Sequence, residues 1–328
     1  MAPPVLARLA RSRLLLRAST AALWAGHQLP QTLRLSSWQI RRLAAAAAAA
    51  AAVHQGLGHS SWLGCEVLAA SHCEGKAVHL IARRSAPPPP DRIRAPNTTV
   101  VLVHGLDSWS GTWEPLMSEL AQRGFASLAV DLRGHGSSPL GCAQDFSPRQ
   151  LAVDVHQAIK AAGLLEERGR IVLVGHSMGG RIAMQYAADY PEDLSLLVIE
   201  DMDCVPQRYC KPTDRDLERL KAFVRSFDSW QAATQTLISF GYQAKRVEGY
   251  SSATDPRIFR LPDGSIGSAI NPYAQHLARQ SVLNSASGAE SLQRVASARA
   301  SSLCNFPVHL FVAGAESTVC TWDGPGGV

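Results

Sequence analysis

Residues 171–180 read Ile-Val-Leu-Val-Gly-His-Ser-Met-Gly-Gly, and they combine a strand, a sharp turn and the start of a helix. Four apolar residues in a row, three of them β-branched, are typical of a strand that is buried on both faces. Gly175 and Gly179 flank Ser177, and apolar residues at helical spacing follow. The pattern predicts a nucleophile elbow, in which a cramped turn lifts the serine hydroxyl above the sheet. A plain glycine-rich turn is the alternative.

Buried strands and amphipathic helices alternate around this stretch. Apolar runs predict strands over residues 98–103, 126–130, 196–199 and 308–312, and helices over 114–122 and from a capping box at Ser147. This order predicts an α/β fold with a doubly wound, mostly parallel sheet. Chemistry on such sheets gathers at the carboxyl ends of the strands, where four polar residues lie: His104, Asp131, Ser177 and Asp201.

The main domain is expected over residues 98–328. Before it, residues 62–97 are predicted to form one or two edge strands and a stiff proline-rich spacer. A helical lid is expected over about 202–305, with Leu217, Leu220 and Val224 facing inward. Five lid residues are expected to line an apolar pocket, or to form the lid's own core: Met202, Phe223, Phe227, Trp230 and Tyr242.

The positive charge of the chain is concentrated near its start. The net charge is +5, but residues 1–65 hold seven arginines and no acid, which leaves 25 basic against 27 acidic residues elsewhere. The body is therefore near neutral, and nothing favours a nucleic-acid partner. Residues 1–61 are typical of a transit peptide with an Ala-rich tail, so we expect an organelle, mitochondrial first, with plastid or cytoplasm as alternatives. A disordered basic tail is the other interpretation.

Two further features limit the class of protein. No apolar run with large side chains approaches the roughly 20 residues of a membrane span, so no stable span is expected. Seven cysteines lack paired metal-ligand spacing, which favours free thiols in a reducing compartment over disulfides or a zinc site.

Three motifs carry a resemblance to a known family: His104-Gly105-Leu106-Asp107, residues 131–138 (DLRGHGSS), and the elbow. Together they resemble the α/β-hydrolase family, and more narrowly its small bacterial esterases and mitochondrial abhydrolase-domain hydrolases, over about residues 98–316. The resemblance implies a serine hydrolase that acts on a small-molecule acyl ester or thioester without metal or cofactor.

The resemblance also implies roles for single residues. Ser177 would be the nucleophile, and the main-chain N–H groups of Leu106 and Met178 would form the oxyanion hole. The expected substrate contacts are His104, Gly105, Trp230 and Tyr242.

Two carboxylates compete for the role of the catalytic acid. Asp201 matches the acid of this branch, whereas Glu316 matches the position that most other members use; Asp203 is a weaker third candidate. A helix-capping role is the alternative for either of the first two.

The catalytic histidine is the missing part of the pattern. The family places it after one more strand and helix, but no histidine follows His309, which lies in a predicted buried strand. His104, His135 and His176 belong to motif loops, and His276 lies in the predicted lid. We therefore expect a C-terminally incomplete form of an enzyme, or, as the alternative, a hydrolase-like chain that binds a ligand without catalysis.

Overall fold

A computed structural model describes residues 62–68, 72–73, 76–77, 80–85, 98–143, 146–166, 169–251, 257–261 and 264–312. The predicted transit peptide, the proline-rich spacer and Glu316 lie outside these described residues. Within them, no helix has the length and apolar character needed to cross a membrane.

The sheets comprise twelve strands in the described part of the chain: β1 (Trp62–Leu68), β2 (His72–Cys73), β3 (Lys76–Ala77), β4 (Leu80–Ser85), β5 (Thr99–Val103), β6 (Ala126–Val130), β7 (Ile171–His176), β8 (Leu194–Glu200), β9 (Ser226–Phe227), β10 (Ile258–Arg260), β11 (Ile266–Ser268) and β12 (Val308–Phe311). Seven of them form the main sheet in the order β1-β4-β6-β5-β7-β8-β12. Its pairs from β6 through to β12 are parallel, so the predicted mostly parallel sheet is confirmed.

The start of this sheet differs from the prediction. β4 pairs with β6 in antiparallel register, and β1 pairs with β4. The sheet therefore begins at Trp62, before the expected boundary at residue 98, and of the two strands β1 and β4 only β1 lies at an edge. The sequence signal of such strands is weak, because β-propensity depends strongly on the neighbours that a strand packs against.

Helices cover both faces of the sheet and form the lid: α1 (Glu114–Gln122), α2 (Pro148–Ala161), α3 (Met178–Asp189), α4 (Asp214–Lys221), α5 (Trp230–Ser239), α6 (Ala244–Glu248), α7 (Pro272–Ala278) and α8 (Ser287–Ala300). Alternate residues of β5 point to opposite faces, as the pleat requires. Val101 and Val103 join the core under α2 and α3, whereas Val100 and Leu102 join the core under α1. The predicted cap of α2 is present, since the Ser147 hydroxyl accepts from the Gln150 N–H at 3.1 Å.

The lid has a hydrophobic core of its own. Phe223, Phe227 and Tyr242 pack against this core, and Met202 belongs to the core of the main sheet. Phe223, Phe227 and Tyr242 thus contribute to the lid core, whereas Met202 does not; the apolar pocket stays a prediction. The inward face predicted for α4 is present in part, because Leu217 and Leu220 are half-buried whereas Val224 is 65% exposed.

A buried ion pair connects the loop after β6 to α2. Arg133 Nε lies 2.6 Å from Asp154 Oδ2, Arg133 Nη2 lies 2.7 Å from Asp154 Oδ1, and both side chains are 0% exposed. Removing one partner leaves the other charge buried without compensation.

Asp154→Ala is therefore expected to lower the free energy of unfolding by about 3–5 kcal/mol in urea denaturation. Lys221→Ala is the matched control, because its pair with Glu218 is exposed on the lid and contributes little to stability. Equal losses in the two variants would contradict this account of Arg133 and Asp154.

Candidate active site

The elbow places Ser177 between the end of β7 and the first residue of α3. Ser177 adopts φ 50° and ψ −122°, a conformation that is unfavourable for any residue except glycine. Its N–H donates to the Glu200 carbonyl at 2.9 Å, and its carbonyl accepts from the Gly180 N–H at 2.8 Å. Main-chain hydrogen bonds on both sides therefore hold the strained turn, and the Ser177 side chain stays partly exposed.

The two flanking glycines allow a contact that no side chain would permit. A Cβ atom on Gly175 would lie 2.3 Å from the Gly179 carbonyl oxygen, and one on Gly179 would lie 2.3 Å from the Val103 carbonyl oxygen. Both obstacles are main-chain atoms, so the first turn of α3 packs directly on β7 and on the end of β5.

The loop after β5 passes directly beside Ser177. A Cβ atom on Gly105 would lie 3.0 Å from the Ser177 Cβ. Leu106 follows Gly105, and within the described residues its N–H makes no main-chain hydrogen bond. Met178 is the first residue of α3, so its N–H has no partner inside the helix. The arrangement brings together the parts of an oxyanion hole, although the roles of Leu106 and Met178 stay predictions.

His104 shapes this loop and is unavailable to a substrate, which corrects the predicted contact. Its side chain is 0% exposed. Its Nε2 accepts from the Leu132 N–H at 3.0 Å, so the proton is on Nδ1, which donates to the Gly105 carbonyl at 2.8 Å. Burial lowers the pKa of His104 to about 4. The neutral ring thus joins the loops at the ends of β5 and β6.

His135 lies next to His104 and is equally buried. The two ring centroids are 5.2 Å apart, and His135 Nδ1 lies 3.1 Å from the Arg133 carbonyl oxygen. Burial lowers the pKa of His135 to about 3. Both histidines must therefore gain a proton when the chain unfolds in mild acid.

The free energy of unfolding is consequently expected to fall below pH 6.5, by about 1 kcal/mol per pH unit for each of these histidines. The unfolded chain binds their protons near pH 6.5, whereas the folded chain binds them only near pH 4 and pH 3. Urea denaturation between pH 7 and pH 4.5 measures this slope. His135→Asn should remove about half of the effect, and an unchanged slope would contradict it.

The acidic side of the site lies at the end of β8. β8 runs parallel to β7 with Glu200 opposite His176, so Asp201 lies level with Ser177. Asp201 has φ 47°, and its N–H donates to the Phe311 carbonyl at 2.7 Å. Burial lowers the pKa of His176, and the nearby Asp201 carboxylate acts in the opposite direction. Asp201 therefore lies beside the elbow, and its role as the catalytic acid stays a prediction.

Glu200 is a titratable group that the sequence interpretation overlooked. Burial, together with the charge of Asp201, raises the pKa of Glu200 to about 7. The adjacent acids at a strand end were the available signal. The third acid, Asp203, is engaged elsewhere, because its Oδ1 accepts from Arg181 Nη2 at 3.4 Å and from the Val205 N–H at 3.0 Å.

Other polar residues from the sequence motifs have structural partners. Both Asp131 oxygens accept from main-chain N–H groups, those of Ser110 at 2.6 Å and Ser137 at 2.8 Å. His276 Nδ1 lies 2.9 Å from the Tyr209 hydroxyl within the lid. His309 lies on β12, where burial lowers its pKa. None of these described residues is assigned as the base that would remove the Ser177 proton.

The two lid residues predicted to contact substrate have different positions. The Tyr242 hydroxyl reaches the loop beside Ser177, where it donates to Asp107 Oδ1 at 3.0 Å. Trp230 is exposed at the start of α5. Substrate contacts by Gly105, Trp230 and Tyr242 stay predictions.

Part of this chain is similar in sequence to known hydrolases. A family model described as serine aminopeptidase, S33, matches residues 94–247. The putative carbamate hydrolase RutD of Escherichia coli O1:K1 / APEC is 38% identical over 110 residues, which cover 34% of this chain and 39% of RutD. RutD of Escherichia coli O139:H28 is 37% identical over the same length and shares of both chains. The match thus spans about two fifths of these curated relatives.

A solved structure with the same fold is the peroxisomal α/β-hydrolase Lpx1 of Saccharomyces cerevisiae. Its TM-score is 0.53 at 17% identity, and the match covers 80% of this chain and 77% of Lpx1. The sheet order, the elbow and the likeness to Lpx1 lead to one conclusion: the chain has the α/β-hydrolase fold.

Proposed function

We propose that the protein is a serine hydrolase that cleaves acyl ester or thioester bonds of small molecules through Ser177. The observation that carries the proposal is the strained conformation of Ser177 beside the loop at Gly105. A non-glycine residue with positive φ costs free energy of order 1–3 kcal/mol, and such strain clusters at active sites.

In the proposed reaction, the Ser177 oxygen attacks the acyl carbonyl while a base removes the hydroxyl proton. The base then donates that proton to the leaving group, and water hydrolyses the acyl-enzyme by the same route. The N–H groups of Leu106 and Met178 stabilise the oxyanion, at about 3 kcal/mol for each donor. Asp201 orients the base, a role for which the proposal names no residue.

The acyl class is the least specific part of the proposal. The RutD relatives are described as putative carbamate hydrolases. A carbamate presents a carbonyl to the same nucleophile, so carbamates belong in the test beside esters and thioesters. Location in an organelle, mitochondrial first, remains part of the proposal on the composition of residues 1–61.

The second candidate function is binding without catalysis. It is favoured by one observation, namely that the histidines of the two motif loops, His104 and His135, are buried and hydrogen-bonded to main-chain carbonyls. The strained serine favours the enzyme, because a binding protein gains nothing from a positive φ at that position.

Turnover of p-nitrophenyl esters, thioesters and carbamates separates the two functions. We expect release of p-nitrophenol from the esters and carbamates, and of p-nitrothiophenol from the thioesters, and added imidazole should increase this release. A rise in Tm with ester, but no release even with imidazole, would instead support the binding protein.

A further inference from the structure

The residue after Leu106 is held by the lid at three points. Asp107 Oδ1 accepts from the Tyr242 hydroxyl at 3.0 Å, and Asp107 Oδ2 accepts from Gln275 Nε2 at 2.5 Å. The Asp107 carbonyl accepts from Arg257 Nη1. Asp107 has φ 53°, so its backbone is itself strained.

The three donors come from separate parts of the lid. Tyr242 lies between α5 and α6, Arg257 precedes β10, and Gln275 belongs to α7. The lid holds them firmly: Tyr242 packs on the lid core, and Arg257 is 4% exposed with its guanidinium 5.0 Å from the Tyr250 ring centre. Asp107 thus joins three lid segments to one loop.

The same loop is fixed from below by the main sheet. Gly105 touches His176 and Ser177 so closely that a Cβ atom would lie 2.9 Å from His176 Nδ1. Between Gly105 and Asp107 only Leu106 remains, so the direction of its N–H depends on contacts from both sides.

The charges around Asp107 make its carboxylate dependent on the lid. Burial raises the pKa of Asp107, whereas Tyr242, Gln275, Arg257 and Arg279 act in the opposite direction. Displacing the lid would remove these donors and positive charges and release the carboxylate from its position.

We propose that Asp107 is a positioning residue, which fastens the lid to the loop and thereby aims the Leu106 N–H at the reacting carbonyl. The inference rests on the proposed hydrolase function. Asp107 itself touches no reacting atom in this scheme. Its effect passes through the peptide group that it holds, so the oxyanion hole is complete only when the lid is closed.

Kinetics test the positioning role. Asp107→Ala should lower kcat about 10²-fold with KM changed less than about twofold, because a misplaced donor acts mainly on the transition state. Tyr242→Phe removes one hydrogen bond and should lower kcat by about threefold to tenfold. Asp107→Asn keeps an acceptor and a similar shape and should restore most of the activity.

Ser226→Ala is the matched control, since it removes a hydrogen bond that stays within the lid, to the Ser265 hydroxyl at 3.0 Å. Its kcat should equal that of the wild type. The proposal would be overturned if Asp107→Ala lowered the Tm but left kcat unchanged. It would also be overturned if the variant raised KM alone.

Hydrogen exchange tests the contact between Asp107 and the lid without any substrate turnover. In Asp107→Ala, peptides that cover residues 104–110 should exchange faster than in the wild type. In Ser226→Ala, their exchange rate should equal that of the wild type. If no variant turns over substrate but exchange rises as expected, the proposed function fails while the lid contact stands. Unchanged exchange at residues 104–110 would overturn the positioning role by itself.

Discussion

Replacing Ser177 with alanine is expected to abolish ester turnover and to leave the fold intact. The hydroxyl is the only group that the change removes, and loss of a serine nucleophile costs roughly 10³-fold or more in kcat. The bonds that hold the turn are formed by main-chain atoms, so the free energy of unfolding should change by less than about 0.5 kcal/mol. Steady-state p-nitrophenol release and urea denaturation measure the two quantities.

Ser226→Ala serves as the control for this prediction too, because Ser226 is an exposed serine of the lid. It should keep full turnover. If the Ser177 and Ser226 variants kept equal turnover, the elbow would have another purpose than catalysis.

Gly179→Ala is expected to have the second large effect, on stability and turnover together. The new Cβ would lie 2.3 Å from the Val103 carbonyl oxygen and 2.6 Å from that of His104. These main-chain atoms cannot move aside without shifting β5 and the loop that carries Leu106. We expect a loss of about 3 kcal/mol in the free energy of unfolding, measured in urea, and loss of ester turnover.

Two other glycines calibrate that result. Gly249 has open space on all sides within 4 Å, so Gly249→Ala should be neutral. A Cβ atom on Gly180 would lie 3.1 Å from side-chain atoms of Ile199 and Met202 and 3.3 Å from the Gly175 carbonyl oxygen, so Gly180→Ala should have an intermediate cost. A Gly179→Ala variant as stable and active as Gly249→Ala would show that α3 does not need close contact with β5.

Local sequence patterns predicted the regular elements well. α1 and β6 have the predicted bounds, and Ser147 caps α2 as expected. Such features depend on neighbours in the sequence, which are visible without a structure. The strand–turn–helix order around Ser177 was predictable for the same reason.

The contacts that complete the site were not predictable, because they join residues distant in the chain. Asp107 meets Tyr242 and Gln275, which lie 135 and 168 residues further along. His104 shows how a motif residue can be misread, since its two bonds to main-chain atoms are invisible in the sequence. Apolar lid residues fit a pocket and a core equally well until their neighbours are known.

Covalent labelling tests the central claim, that Ser177 is a nucleophile, most directly. The protein is treated with a fluorophosphonate, with and without added imidazole, and digested with trypsin, which releases residues 171–181 as one peptide. The account predicts that this peptide carries the phosphonate on Ser177. Folded protein that carries no label, or carries it on another residue, would contradict the account.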